Sequence, residues 1–210
     1  MPRQPLTRLV LVTLYVGVAL ALGSCAPDSV RTTGPTAVGD TGWILLSLGP
    51  ARSPVYVGAY NVVLREKTTG ALTSVAFIKD AVFLKETEVD FSDARGEGAV
   101  YLVAIPTGEY EVRNYRAALT QHAIEVPPSI PMHVIVAHGQ VSYLARFLVQ
   151  THWTTKPGIF SEKPIYYALE SVSATVVDAY ETDIAVARKK FAETFRSIAI
   201  AKRPLHAIYQ

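Results

Sequence analysis

The chain has a single cysteine in 210 residues. An intrachain disulfide is excluded, so packing alone has to hold the fold. Charge of one sign is lacking as well: 20 Lys and Arg stand against 18 Asp and Glu. That balance offers no basic stripe to displace counterions, and nucleic-acid binding is not expected. No His-Glu-x-x-His pair, no paired cysteines and no tight carboxylate–histidine spacing are present, so we expect no metal site. His133 and His138 lie on either side of a hairpin turn, and on one strand their odd offset would put them on opposite faces. The acidic run Glu86, Glu88, Asp90, Asp93 and Glu97 lacks the fixed ligand and glycine spacing of a calcium loop and reads as a solvated face. A Gly-x-Ser-x-Gly elbow and a Gly-rich phosphate loop are both missing. The expectation is a protein that is not an enzyme and holds no cofactor of the usual kinds.

What is present begins at the N terminus. Arg3 and Arg8 precede an apolar stretch from Leu9 to Leu22, and small residues follow. The stretch is too short to cross a bilayer, and residues 1–24 read as an export signal. The run Leu22-Gly23-Ser24-Cys25 resembles the lipobox of bacterial lipoproteins. That resemblance implies that Cys25 becomes the first mature residue and carries covalent lipid on its sulfur and amine. The alternative is an ordinary cleavage site beside a spare thiol. Several acyl chains would make release negligible, since each buried methylene contributes roughly 0.8 kcal/mol. Ala26 stands where lipoproteins of enteric type carry Asp for retention in the inner membrane. The resemblance therefore implies the cell envelope and, where there are two membranes, the outer one. Loss of Arg3 and Arg8 with the signal leaves 18 charges of each sign.

Residues 25–41 are small, polar and rich in Gly and Pro, and read as a lipidated tether. Residues 42–176 read as a β-sandwich. Its strands are Trp43 to Leu48, Tyr60 to Glu66, Leu72 to Ile78, Ala99 to Ile105, Tyr110 onward, a hairpin of Val134–Ala137 with Val141–Val149 about His138-Gly139, and Tyr166 to Thr175. Thr68-Thr69-Gly70 and Pro106-Thr107-Gly108 are turn signals. A change of alternation near Asn114-Tyr115 predicts a bulge, and Lys85 to Gly98 reads as a loop. Residues 177–200 predict one amphipathic helix, because Tyr180, Ile184, Ala187, Phe191, Phe195 and Ile198 recur at spacings of three and four. Its charges follow the helix dipole.

The run AVYLVAIPTGEYEV resembles the corner of prealbumin-like sandwiches, including carboxypeptidase regulatory-like domains. MHVIVAHGQVSYLARFLV resembles a hairpin of small uncharacterised bacterial lipoproteins with such a domain, although Ala145 stands where those carry Gly. DAYETDIAVARKK resembles the tail helix of the same group. The resemblance implies a mainly β, prealbumin-like or immunoglobulin-like sandwich with a C-terminal helix. It implies no reaction.

Tyr and Trp combine an apolar body with a hydrogen-bonding tip, the chemistry of protein and glycan contacts, although packing within the core uses them equally. The segment from Thr151 to Pro164 reads as a loop, and Trp153, Phe160, Tyr166 and Tyr167 are the candidate contact residues. The expected role is a membrane-anchored envelope lipoprotein that displays a non-catalytic binding or scaffolding domain to an envelope protein or glycan. Two alternatives stay open: an envelope hydrolase or metal-dependent enzyme with a His-based site, and a carrier of lipid or another small ligand.

Overall fold

The computed structural model describes residues 30–33, 40–53, 58–79, 86–119, 122–158, 161–196 and 198–201. The export signal, Cys25 and Phe160 lie outside them. The described chain is mainly β and forms two six-stranded sheets. In the first, β1 (Val30–Thr33), β4 (Leu72–Lys79), β3 (Gly58–Glu66), β7 (Gly108–Leu119) and β8 (His122–Val126) follow in that order, and β9 (His133–Val136) also pairs with β7. In the second, β11 (Ser161–Val177), β10 (Gln140–Gly158), β2 (Thr41–Pro50), β6 (Glu97–Pro106) and β5 (Phe91–Ser92) follow in order. There β12 (Ala199–Ala201) adds to β10 in parallel.

One apolar core lies between the sheets, with Leu46, Leu48, Val62, Phe77, Val103 and Phe147 among its buried side chains. The facing strands β3 and β4 alternate buried and half-exposed residues, as one-sided burial requires. β2 is buried at every position from Leu45 to Pro50. Its outward residues are covered by helix α1 (Tyr180–Lys190), which lays Ile184 and Ala187 against Leu45, Val100 and Val141. Tyr101 reaches from β6 to the Ala76 carbonyl of β4 at 2.8 Å, and Lys79 pairs with Glu97 across the same gap. These contacts register one end of the first sheet against the corresponding end of the second.

Several sequence expectations meet differences here. Val30–Thr33, read as tether, form an edge strand on β4. The Val134–Val149 hairpin is absent: β9 pairs with β7 in the first sheet, while β10 belongs to the second. His138-Gly139 is a corner between sheets, and Gly139 supplies the φ of 63° that L-residues avoid. Pro106-Thr107-Gly108 likewise carries the chain from β6 to β7 across the sheets. Tyr110 locks that corner by donating to the Pro106 carbonyl at 2.9 Å. The bulge falls at Arg113, one residue before its expected place, because Val63 and Leu64 oppose Asn114 and Val112. Within the acidic loop, Phe91–Ser92 and Glu97–Gly98 are paired as strand. The C-terminal helix does not run on to residue 200. α1 stops at Lys190, Phe191 leaves helical geometry at φ −118°, a single turn α2 (Ala192–Phe195) follows, and the chain then enters β12.

Candidate functional site

The segment read as a loop around Trp153 is a two-stranded ribbon. β10 pairs with β2 only as far as Val149, opposite Pro50. Beyond it, Gln150 to Gly158 pair with β11 alone among the described residues. Pro157 and Pro164 suggested a loop, but Pro is accepted where no second neighbour needs its missing N–H. Trp153 sits opposite Leu169, Thr155 opposite Tyr167, and Lys156 opposite Tyr166. Three of the four candidate residues are thus brought onto one ribbon; Phe160 lies outside the described residues. Trp153 is half-buried, and its indole N–H donates to Thr151 Oγ1 at 2.9 Å. Thr151 and Trp153 are two residues apart, and the local hydrogen bond satisfies the only polar group of the ring.

A second arrangement was not foreseen. The register of β10 on β2 slips between Tyr143 and Arg146. This bulge sends Leu144 and Ala145 both into the core and leaves Tyr143 and Arg146 together on the helix side. The Arg146 guanidinium is 4 % exposed, and it pairs with Asp183 of α1, which is fully buried. It also donates to Thr182 Oγ1 and to Asp93 Oδ2, both at 3.1 Å, and lies 3.9 Å from the ring centre of Phe91. Tyr143 donates to Asp183 Oδ2 at 3.0 Å and accepts from the Ala179 N–H at 3.1 Å. Burial, reinforced by the Asp183 charge, pushes the Tyr143 phenol above its ordinary range. The Asp93 carboxyl is held below its ordinary value first by the Arg95 backbone N–H, with help from the Gly96 N–H and from the Arg95 and Arg146 charges. Each guanidinium nitrogen of Arg146 and the Tyr143 hydroxyl donate to an acceptor within the cluster, and its chemistry is that of a clamp. The signal in the sequence was Asp183 itself, which shares the helical stripe of Tyr180, Ile184 and Ala187.

A third feature is a cleft of about 460 Å³ on the flank between the sheets. Pro127, Pro128 and Ile130 form one wall, Val172, Ala174 and Val176 the other, and Tyr115 and Met132 line it as well. The Tyr115 hydroxyl is directed at Met132 Sδ, 3.8 Å away, and burial pushes its pKa up.

Among the described residues, three histidines lie apart. His133 lies on β9 in the first sheet, His138 at the sheet-to-sheet corner and His152 on the ribbon. Among the described residues no three His, Cys, Asp or Glu side chains gather closely enough to hold a metal ion. No described helix is long and apolar enough to cross a membrane. Comparison with protein-family models, curated proteins and solved structures found no match to this chain.

Proposed function

We propose that this chain is a lipid-anchored envelope lipoprotein that displays a non-catalytic, prealbumin-like or immunoglobulin-like β-sandwich with a C-terminal helix. The observation that carries the reading is the run Leu22-Gly23-Ser24-Cys25 at the end of an export signal. Support for the domain comes from two sheets around one core, and from the Tyr110–Pro106 corner. Residues 1–24 are removed, Cys25 is acylated, and the outer membrane is the bilayer that holds it. The short link from Cys25 to β1 keeps the folded part close to that surface. The protein acts by contact, and the β10–β11 ribbon is the element offered to an envelope protein or glycan. Crosslinking in cells from a photoreactive residue at His152, which is exposed on the ribbon, tests this reading. Enrichment of a discrete partner over an unrelated lipoprotein is expected; the same background from both would refute it.

The flank cleft favours a second reading, a carrier of a small apolar ligand. Its volume falls within the usual range for ligand pockets, and its walls are largely apolar.

A further inference from the structure

The flank cleft carries a buried hydroxyl, and the sequence explains how it comes to be there. On β7, Tyr110 and Val112 face the core, and the bulge at Arg113 shifts the parity so that Tyr115 and Ala117 follow them inward. β8 pairs with β7 as far as Val126 and stops at Pro127 and Pro128, which have no N–H to give. The chain returns at Met132, whose carbonyl accepts from the Val112 N–H at 2.9 Å. That bond holds Met132 Sδ beside the Tyr115 hydroxyl. The Tyr115 ring also packs on Phe147, with ring centres 5.8 Å apart, so its position is set by the core.

The hydroxyl is poorly matched. Tyr115 and Met132 are 3 % and 5 % exposed. The O–H is directed at a thioether sulfur 3.8 Å away, a weak acceptor, and makes no other hydrogen bond among the described residues. A buried hydroxyl without a strong acceptor costs free energy that a better acceptor recovers. Burial also pushes the phenol pKa up, so at neutral pH the group is an uncharged donor.

The walls say what kind of molecule brings that acceptor. Val172 and Ala174 stand across from Pro127 and Pro128. Ile130 and Val176, two of the large apolar side chains that the described residues expose, stand one on each wall. Among the described residues no charged side chain lines the cleft, so a carboxylate or an ammonium would enter without a counter-charge. The volume of about 460 Å³ suits a small molecule.

We infer that the flank cleft takes an uncharged, apolar molecule with a carbonyl-type oxygen, which accepts a hydrogen bond from the Tyr115 hydroxyl. This rests on the carrier reading given above and names the chemical class of its ligand. Shape and apolar walls supply the affinity, and Tyr115 selects for the oxygen.

The test uses the full chain purified from cells in detergent and two probes, benzophenone and diphenylmethane. The second has the same two rings with a methylene in place of the carbonyl. Affinities are measured by equilibrium dialysis for the wild type, Y115F and I130D. Uptake of each probe by detergent is common to all three proteins and cancels in their ratios. Y115F keeps the ring and loses only a weak contact to sulfur, so it is expected to fold. It is expected to weaken benzophenone binding by roughly three- to tenfold, the worth of one hydrogen bond, and to leave diphenylmethane unchanged. The carbonyl stretch of bound, isotope-labelled benzophenone is expected at lower frequency in the wild type than in Y115F. I130D is expected to weaken both probes. Both probes binding at the cleft, with benzophenone showing equal affinity and the same carbonyl band in wild type and Y115F, overturns the inference and leaves the carrier reading standing. No binding of either probe, or binding that I130D does not weaken, overturns both.

Discussion

Arg146 and Asp183 meet beneath α1, the first 4 % exposed and the second completely buried. The helix buries only Asp183, Ile184 and Ala187 of its own residues. Tyr180 and Val186 pack beside Ile184 and Ala187, and the ion pair and the Tyr143 hydroxyl fix the position of the helix on the sheet. Removing Asp183 leaves the buried Arg146 charge with only the partly exposed Asp93 as counterion, which is worse than having neither member of the buried pair. Asp183→Ala is expected to lower stability by about 3–5 kcal/mol in urea unfolding. The double variant R146M/D183L is expected to regain most of that loss. A double variant as unstable as the single one would show that the charges are needed in themselves.

Glu66 ties acid sensitivity to the β3–β4 hairpin. Its carboxylate accepts from the Thr69 hydroxyl and backbone N–H and from Thr68, which lowers its pKa from 4.5 to about 2. Between those values the unfolded chain binds the proton and the folded one does not. The contribution of Glu66 is therefore complete above pH 4.5 and is lost as the pH falls toward 2. Glu66→Gln is expected to flatten the dependence of the unfolding midpoint on pH across that window. An unchanged slope would contradict the assignment.

The alkaline side depends on phenols. Burial pushes Tyr101, Tyr115 and Tyr143 upward, and burial together with the Glu66 charge raises Tyr110 to about 12. Above the ordinary value of 10.0 the unfolded chain ionises these groups while the folded chain keeps them neutral. Stability is expected to fall as the pH rises past 10.0, with tyrosinate absorbance appearing together with loss of the β-sheet circular dichroism. Full ionisation of all tyrosines in a chain that is still folded would argue against their burial.

Two glycines should respond very differently to a methyl group. At Gly49 a Cβ would stand 1.9 Å from the Glu97 carbonyl oxygen, where backbone has to move. At Gly70 it would meet nothing within 4 Å, and only the φ of +74° resists it. Gly70→Ala is expected to cost about 1–2 kcal/mol. Gly49→Ala is expected to exceed that and to disturb the β2–β6 ladder in amide exchange. Equal costs would mean that the strands separate more easily than their packing implies.

The cleft can be tested at its rim. Ile130 is 38 % exposed, so Ile130→Asp is expected to shift stability by less than about 0.5 kcal/mol. If the cleft takes an apolar ligand, the same change is expected to weaken binding of an apolar fluorescent probe several-fold. Undiminished binding would remove the carrier reading.

The strands of the core were legible because their apolar runs and alternation are local properties. β2, β3, β4 and β6 all appear within a residue or two of their expected places. Which strands pair was not legible. His138-Gly139 and Pro106-Gly108 have the chemistry of tight turns whether they join neighbours or cross between sheets. Arg146 was hidden by the bulge at Leu144-Ala145, which changes the parity that assigns residues to faces. The ribbon was hidden by Pro157, Gly158 and Pro164, which mark loops in a full sheet and are tolerated in a ladder that has no further neighbour among the described residues. Trp153, Tyr166 and Tyr167 were nevertheless singled out, because a cluster of aromatics beside Pro and Lys stands apart from the core pattern.

Attachment of acyl groups to Cys25 is the claim on which location and ribbon contact both depend. Mass spectrometry of the N-terminal peptide from membrane-purified protein tests it directly. The account predicts a chain that begins at Cys25 and carries the added mass of its acyl groups. A free thiol at Cys25 would contradict it.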